Sequence, residues 1–134
     1  MTARAWRGDW EKLAGEAARA LRRARGRPRR GAAIADEAGD VHAGASISPA
    51  GAPAASICAE HAALVSLIMK GSRRPRRIVS LTSGEASASP PCGRCLQVLI
   101  EFAPDAEVRW GSPTRECGRS RIDRLLPEAF RDFR

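Results

Sequence analysis

Three cysteines and one glutamate are spaced so that they could hold and use a metal ion. Cys58 stands two residues before Glu60, and Cys92 and Cys95 follow in the run Pro90-Pro91-Cys92-Gly93-Arg94-Cys95. Thiolates are soft ligands that suit Zn²⁺, which takes four partners in a tetrahedron. The three cysteines would fill three positions of one zinc ion per chain, and a catalytic site leaves the fourth to water. Glu60 is the only acid adjacent to a ligand, which makes it the candidate general acid/base. Displacing an amine from an aromatic carbon requires three proton movements. One proton leaves the water, one reaches a ring nitrogen and one reaches the departing amine. A single carboxylate beside both water and ring can carry all three. A lone Cys-x-x-Cys is weak evidence, because two close cysteines are also found as redox partners or in packing. The specificity lies in Cys-x-Glu upstream, proline before the pair and an apolar run after each. The competing reading is a structural zinc closed by Cys117.

The surroundings add candidates of a second kind. Three thiolates and Zn²⁺ carry a net charge of −1, which outer donors can offset. Arg94, between two ligands, and His61, after Glu60, are placed for this, although His61 reads equally well as a packed histidine. The Ser89 carbonyl and the Cys92 backbone N–H are candidate contacts to a departing amine and an attacking water. His42 has no cysteine or nucleophile near it in sequence and reads as structural.

The elements that must position these groups follow from periodicity. Residues 4–25 repeat apolar positions (Trp6, Trp10, Leu13, Ala17, Leu21, Ala24) at helical spacing, and Gly26 and Pro28 end the run. Gly31 to Asp36 and Val41 to Ile47 read as strands joined by a tight turn over 37–40. Pro49 to Ala55 is a loop of small residues. Ser56 reads as the cap of a helix over 57–70, apolar nearly all round and so expected to be buried. Arg76 to Thr82 is a strand and Ser83 to Ser89 a loop. Residues 93–102 form a helix stopped by Pro104. Glu107 to Trp110 is a strand, 114–120 a weak one interrupted by Gly118, and Arg121 to Leu126 a short helix. Both cysteine clusters fall at helix starts, where free N–H groups and the dipole favour thiolate. The two starts must therefore meet. Alternating helices and strands imply a three-layer α/β/α sandwich on a mixed sheet.

Composition narrows the partners. At 134 residues the chain reads as one domain, 1–134, with room for a core. No apolar run reaches the ~20 residues that span a bilayer. The first ten residues are polar and mixed, without the apolar run of a secretory signal. Metal-ligating thiols suit a reducing compartment, so a cytoplasmic protein is expected. Net charge is +8, and all 23 basic residues except Lys12 and Lys70 are arginine. Seven arginines (19, 22, 23, 25, 27, 29 and 30) crowd into residues 19–30. They read first as a solvated helix end, second as an anion site, and third as a nucleic-acid contact. No Tyr and only three Phe leave little for base stacking.

The chain resembles the cytidine deaminase family in its small homotetrameric form. The similar segments are Gly44 to Ile47, Ile57-Cys58-Ala59-Glu60, Ser89 to Cys95 with Gln97-Val98, Glu101-Phe102, and Ile122 to Phe130. The resemblance implies an α/β/α sandwich around a five-stranded mixed sheet, hydrolytic deamination with release of ammonia, and tetramers that share residues between active sites. Phe130 is then a candidate substrate contact from a neighbouring chain. The departures concern the sugar. The family grips ribose with Asn-x-Glu after the second strand, where this chain has Ser46-Ile47-Ser48. A serine cannot replace a carboxylate that accepts two hydroxyl protons. The family's stacking Phe before the first strand gives way to Arg27-Pro28-Arg29-Arg30. Blasticidin S deaminase, a relative acting on a cytosine antibiotic, also departs from the sugar motif and carries Ser-Pro-Cys-Gly-Arg-Cys, close to Ser89 to Cys95 here. The expected substrate is a cytosine nucleoside or nucleoside-like compound. The alternatives are a blasticidin-type antibiotic and a nucleic acid.

Overall fold

A computed structural model describes residues 3–71 and 74–133. Its centre is one five-stranded sheet in the order β2-β1-β3-β4-β5. The strands are β1 (Gly31–Asp36), β2 (Val41–Ala45), β3 (Pro75–Leu81), β4 (Glu107–Gly111) and β5 (Glu116–Arg121). Only β3 and β4 run parallel; the other pairs are antiparallel, so the sheet is mixed. All six residues of β1 are buried, as a central strand covered on both faces requires.

The alternation along β1 explains the layers. Ala33 and Ala35 face α1 (Asp9–Arg23), packing with Trp6, Trp10, Leu13, Ala17, Leu21, Val79 and Leu81. Ala32 and Ile34 face the opposite layer, where α2 (Ala59–Met69), α3 (Gly93–Phe102) and α4 (Ile122–Leu125) bring Leu64, Leu67, Leu99, Ile100 and Ile122. The three-layer α/β/α sandwich on a five-stranded mixed sheet is thus the architecture. Small alanines on β1 let the helices lie close. Gly44 does the same for α2: a Cβ there would stand 2.3 Å from Ala63 N and 2.6 Å from the Ala59 carbonyl oxygen.

Several boundaries differ from the sequence reading. The first helix begins at Asp9, not residue 4. Arg4 pairs in extended form with Glu116, and Gly8 turns the chain with a φ of 59°. Trp6 still reaches the core, its indole N–H donating to the Ser112 carbonyl at 2.9 Å. Ser56 does not cap α2; Cys58 does, while the Ser56 hydroxyl donates to the Pro53 carbonyl at 2.8 Å. Nor is α2 buried all round, since Val65 is 49% and Met69 80% exposed. The fifth strand continues through Gly118, with a register shift beside it between the Trp110 and Gly111 pairs, and a Cβ at Gly118 would lie 2.3 Å from the Trp110 ring. Glycine there makes room for a side chain rather than breaking the strand.

The hairpin turn has its own lock. Asp36 Oδ1 accepts the N–H groups of Ala38 and Asp40 at 2.9 and 3.0 Å, and Oδ2 accepts His42 Nε2–H at 2.9 Å. Burial opposes the Asp36 charge, but these donors win, and its carboxyl lies below the usual carboxylate range. His42 is thereby structural, as its isolation in the sequence suggests.

Candidate active site

The starts of α2 and α3 meet at one edge of the sandwich. Cys58 is the residue before α2 and Cys92 the residue before α3, with Cys95 in the first turn of α3. The Sγ atoms of the three cysteines all lie within 4.8 Å of one another. Cys58 Sγ and Cys92 Sγ are 3.7 Å apart. Zn–S bonds of about 2.3 Å in a tetrahedron put neighbouring sulfurs roughly 3.8 Å apart, so the trio fits a zinc ion. Cys117 is not part of it; it lies on β5, its thiol nearest the Arg115 carbonyl at 3.9 Å. The closed four-cysteine alternative therefore has no fourth thiol at the site.

The local fields are uneven. Burial opposes ionisation of Cys92, yet the backbone N–H of Cys95 and the Cys58 thiol outweigh it and bring the Cys92 thiol below its ordinary value. Burial first, and the Glu60 charge second, push the Cys95 thiol far up. A metal that binds here must displace that proton. Arg94 lies at the rim, with Nη2 3.5 Å from Cys58 Sγ and 3.2 Å from the Ser56 carbonyl oxygen. The Cys58 sulfur holds the Arg94 guanidinium above its ordinary value. His61 is half-buried and its side chain makes no hydrogen bond or ion pair among the described residues.

Glu60 is 1% exposed, in the first turn of α2. The Ser80 hydroxyl, on β3, donates to its Oε1. Arg30 Nε stands 3.3 Å from the same oxygen, close enough for an ion pair but not aligned as a hydrogen bond. Both contacts fall on Oε1. Arg30 also donates through Nη2 to Ser80 Oγ at 2.7 Å and to the Ser89 carbonyl at 2.6 Å, and through Nη1 to Ser89 Oγ at 2.9 Å. Sequence reasoning passed over Arg30 as one of a run of arginines. The available signal was Ser80, a hydroxyl inside a buried strand, which must have a partner.

The remaining candidates sit around this centre. Ser46 is buried, and its hydroxyl accepts the Arg30 backbone N–H at 2.8 Å. Ser48 is half-buried, its backbone N–H donating to the Arg25 carbonyl at 2.9 Å. Between them Ile47 pairs with Ile57, just before Cys58. Arg27, Arg29, Arg30, Ser83, Ser87 and Ser89 line a cavity of about 550 Å³. Phe130 is 66% exposed, its backbone tied to the Gln97 side chain at 2.7 and 3.2 Å. Two other arginines of the run meet the helix end: Arg29 donates to the Leu21 and Arg22 carbonyls, and Arg25 to those of Arg23 and Ala24.

A buried carboxylate beside three converging cysteine sulfurs on this sandwich is suited to moving protons while water attacks the carbon of a carbon–nitrogen bond, the work of the zinc-dependent hydrolytic deaminases. Residues 5–111 match the profile of the cytidine and deoxycytidylate deaminase zinc-binding region. The chain belongs to the cytidine and deoxycytidylate deaminase family. It is 34% identical over 101 residues to the cytidine deaminase of Halalkalibacterium halodurans, covering 75% of each chain. The cytidine deaminase of Mycobacterium tuberculosis superposes with a TM-score of 0.78 at 29% identity, over 93% of this chain and 99% of that one. That of Burkholderia pseudomallei gives 0.73 at 30% identity, over 87% and 95%.

Proposed function

We propose that this chain is a one-domain deaminase that converts a cytosine nucleoside, or a nucleoside-like cytosine compound, to its uracil form. The observation that carries this is Glu60, buried two residues after Cys58, the first of the three clustered cysteines, and near enough to Cys95 for its charge to push that thiol up. Zinc held by the three cysteines supplies, when bound, a water acidified from a pKa of 15.7 to about 7. Glu60 accepts a proton from the attacking water and delivers it to ring nitrogen 3. A carbon–oxygen bond forms at C4. Glu60 then takes the remaining proton from the C4 hydroxyl and gives it to the amino group, the C4–N bond breaks, ammonia leaves and C4 is left as a carbonyl. Its free oxygen, Oε2, is the one available for this traffic, because Ser80 and Arg30 hold Oε1. The Ser89 carbonyl is the candidate acceptor for the departing amine.

The sugar end is where this chain goes its own way. Ser46 is occupied by backbone contacts, Ser48 brings no carboxylate, and arginines line the adjoining cavity. We assign to this end a hydroxyl-poor or anionic group. Val65, Ile68 and Met69 on α2 and Phe102 on α3 are exposed apolar side chains, suited to burial in a homotetramer in which Phe130 would reach a neighbouring site. A cytoplasmic role in pyrimidine salvage fits such an enzyme. No helix among the described residues is long and apolar enough to cross a membrane.

The test is ammonia release from zinc-loaded protein across cytidine, deoxycytidine, cytosine, cytidine phosphates and blasticidin S. Glu60→Gln should keep zinc and fold but lose about 10²–10⁴ in kcat, because the amide cannot shuttle protons. No release from any cytosine compound, or a Glu60→Gln protein with wild-type kcat, overturns the reading.

A further inference from the structure

A guanidinium with a side chain only 16% exposed is costly to bury and needs partners. Arg30 has them on three separate elements: Ser80 on β3, Glu60 on α2, and Ser89 in the segment leading to Cys92. Its backbone does not require this arrangement. Arg30 N–H donates to Ser46 Oγ at 2.8 Å and its carbonyl accepts Ser46 N–H at 3.0 Å, so the start of β1 is already fixed without the side chain. The guanidinium therefore does something else.

Resting on the deaminase reading, we infer that Arg30 is a positioning residue for the reaction, acting through Glu60 and Ser89. The planar fork suits the task. Nη2 donates to Ser80 Oγ, which passes its own proton toward Glu60 Oε1, while Nε stands against the same oxygen. The carboxylate is thus gripped by one oxygen, and its rotation about the Cγ–Cδ bond is limited. Oε2 is the oxygen left to face water and ring. The same guanidinium holds both the carbonyl and the hydroxyl of Ser89. The proton carrier and the amine-facing carbonyl are thereby kept at a fixed spacing. Misplacement of a reacting group by about 1 Å can cost on the order of 10²-fold in rate.

Charge points the same way. Three thiolates and Glu60 carry four negative charges in a confined space. A divalent ion offsets two; Arg94 at the rim and Arg30 on the inner side offset the others. A lysine would keep the charge but lose the fork.

The experiment compares Arg30→Met, Arg30→Lys and Ser80→Ala, each alone and with Glu60→Gln, for kcat, KM, zinc content and Tm. Arg30→Met is expected to lower kcat by about 10²-fold, with KM within threefold and zinc content near one per chain. Arg30→Lys should recover part of that loss, and added guanidinium ion should partly rescue Arg30→Met. In the Glu60→Gln background the Arg30 change should cost much less, because only its hold on Ser89 is then left to lose. Three outcomes overturn the inference. One is a rise in KM at constant kcat, which would make Arg30 a substrate contact. Another is zinc loss and a fall in Tm that account for the activity, which would make it structural. The third is full additivity with Glu60→Gln. If Arg30→Met does not fold, Ser80→Ala carries the test, with a loss of kcat absent from the Glu60→Gln background. Failure of the deaminase reading itself is distinct: it appears as no turnover by the wild type.

Discussion

The division of labour among the cysteines is decided by burial and by helix ends. Cys92 is exposed, beside the free N–H groups of α3, and ionises below its ordinary value. Cys95 is buried and holds its proton until a cation replaces it. Removing any of Cys58, Cys92 or Cys95 should therefore lower zinc content and stability together, because metal affinity contributes folding free energy. Cys117→Ala should change neither by much. Metal analysis and thermal melts on the four alanine variants read this out, and zinc loss from Cys117→Ala would reopen the closed structural site. At this scale the sequence was a good guide where chemistry dictates spacing. Cys58, Cys92 and Cys95 stand at ligand spacing and do converge, because metal chelation tolerates few alternatives; Glu60 is legible by its place two residues after Cys58. Arg30 and Ser80 are not. One is hidden in a run of arginines and the other in an apolar strand. Only the pairing of β1 with β3, which sets Ala32 opposite Ser80, brings Arg30 to Glu60.

Elements position the residues through close approaches that leave no slack. Gly44 lets β2 touch the first turns of α2, the part that carries Cys58 and Glu60. Gly44→Val should push that helix start outward. The expected cost is about 1–3 kcal/mol in stability, with a larger proportional loss of zinc affinity. Chemical denaturation and a zinc competition titration would check it, and an unchanged affinity would refute it. The β1–β2 hairpin supplies a pH test. Asp36 has a folded-state carboxyl lowered by His42 and two backbone N–H donors. A lowered value contributes stability that is full above the unfolded value, about 3.9, and is lost as pH falls through the folded value. Asp36→Asn should cost roughly 1–3 kcal/mol at pH 7. Its Tm deficit should shrink below about pH 4. A deficit independent of pH would show that shape, not charge, makes the lock. Strand and helix identities were legible because short apolar runs bounded by turn and loop residues mark β1 and β3, and 3.6-residue spacing marks α3. The start of α1 was not, since Trp6 keeps the helical spacing while its backbone is extended. Gly118 was misleading because its reason lies across the sheet, in the Trp110 ring.

The molecule as a whole carries +8, and the structure shows where much of that charge is used. Arg109 and Arg119 close on buried Glu116, with Arg109 also over the Trp10 ring at 4.0 Å. Arg25 and Arg29 finish α1, and Arg30 enters the site. Beside the site, arginines and hydroxyls line a cavity, and Ser48, whose backbone N–H pairs with the Arg25 carbonyl, stands where the resemblance leads one to expect a ribose-gripping carboxylate. The apolar side of α2 could not be placed from the sequence, because a helix apolar all round looks the same whether its second face meets this chain or another. The sugar end can be tested directly. Introducing a carboxylate by Ser48→Glu adds a hydrogen-bond acceptor for ribose hydroxyls. It also adds a repulsion against a substrate anion, worth from several tenths to a few kcal/mol depending on burial. Both effects act in one direction. The ratio of kcat/KM for cytidine to that for cytidine 5′-monophosphate should therefore rise in Ser48→Glu, by about tenfold for each 1.4 kcal/mol. Raised ionic strength should weaken the phosphate preference of the wild type, because the exposed Arg27 and Arg29 are open to screening. A wild type that already favours plain cytidine strongly, with a ratio that Ser48→Glu leaves unmoved, would mean that the arginines serve only the end of α1 and that the sugar is held from elsewhere.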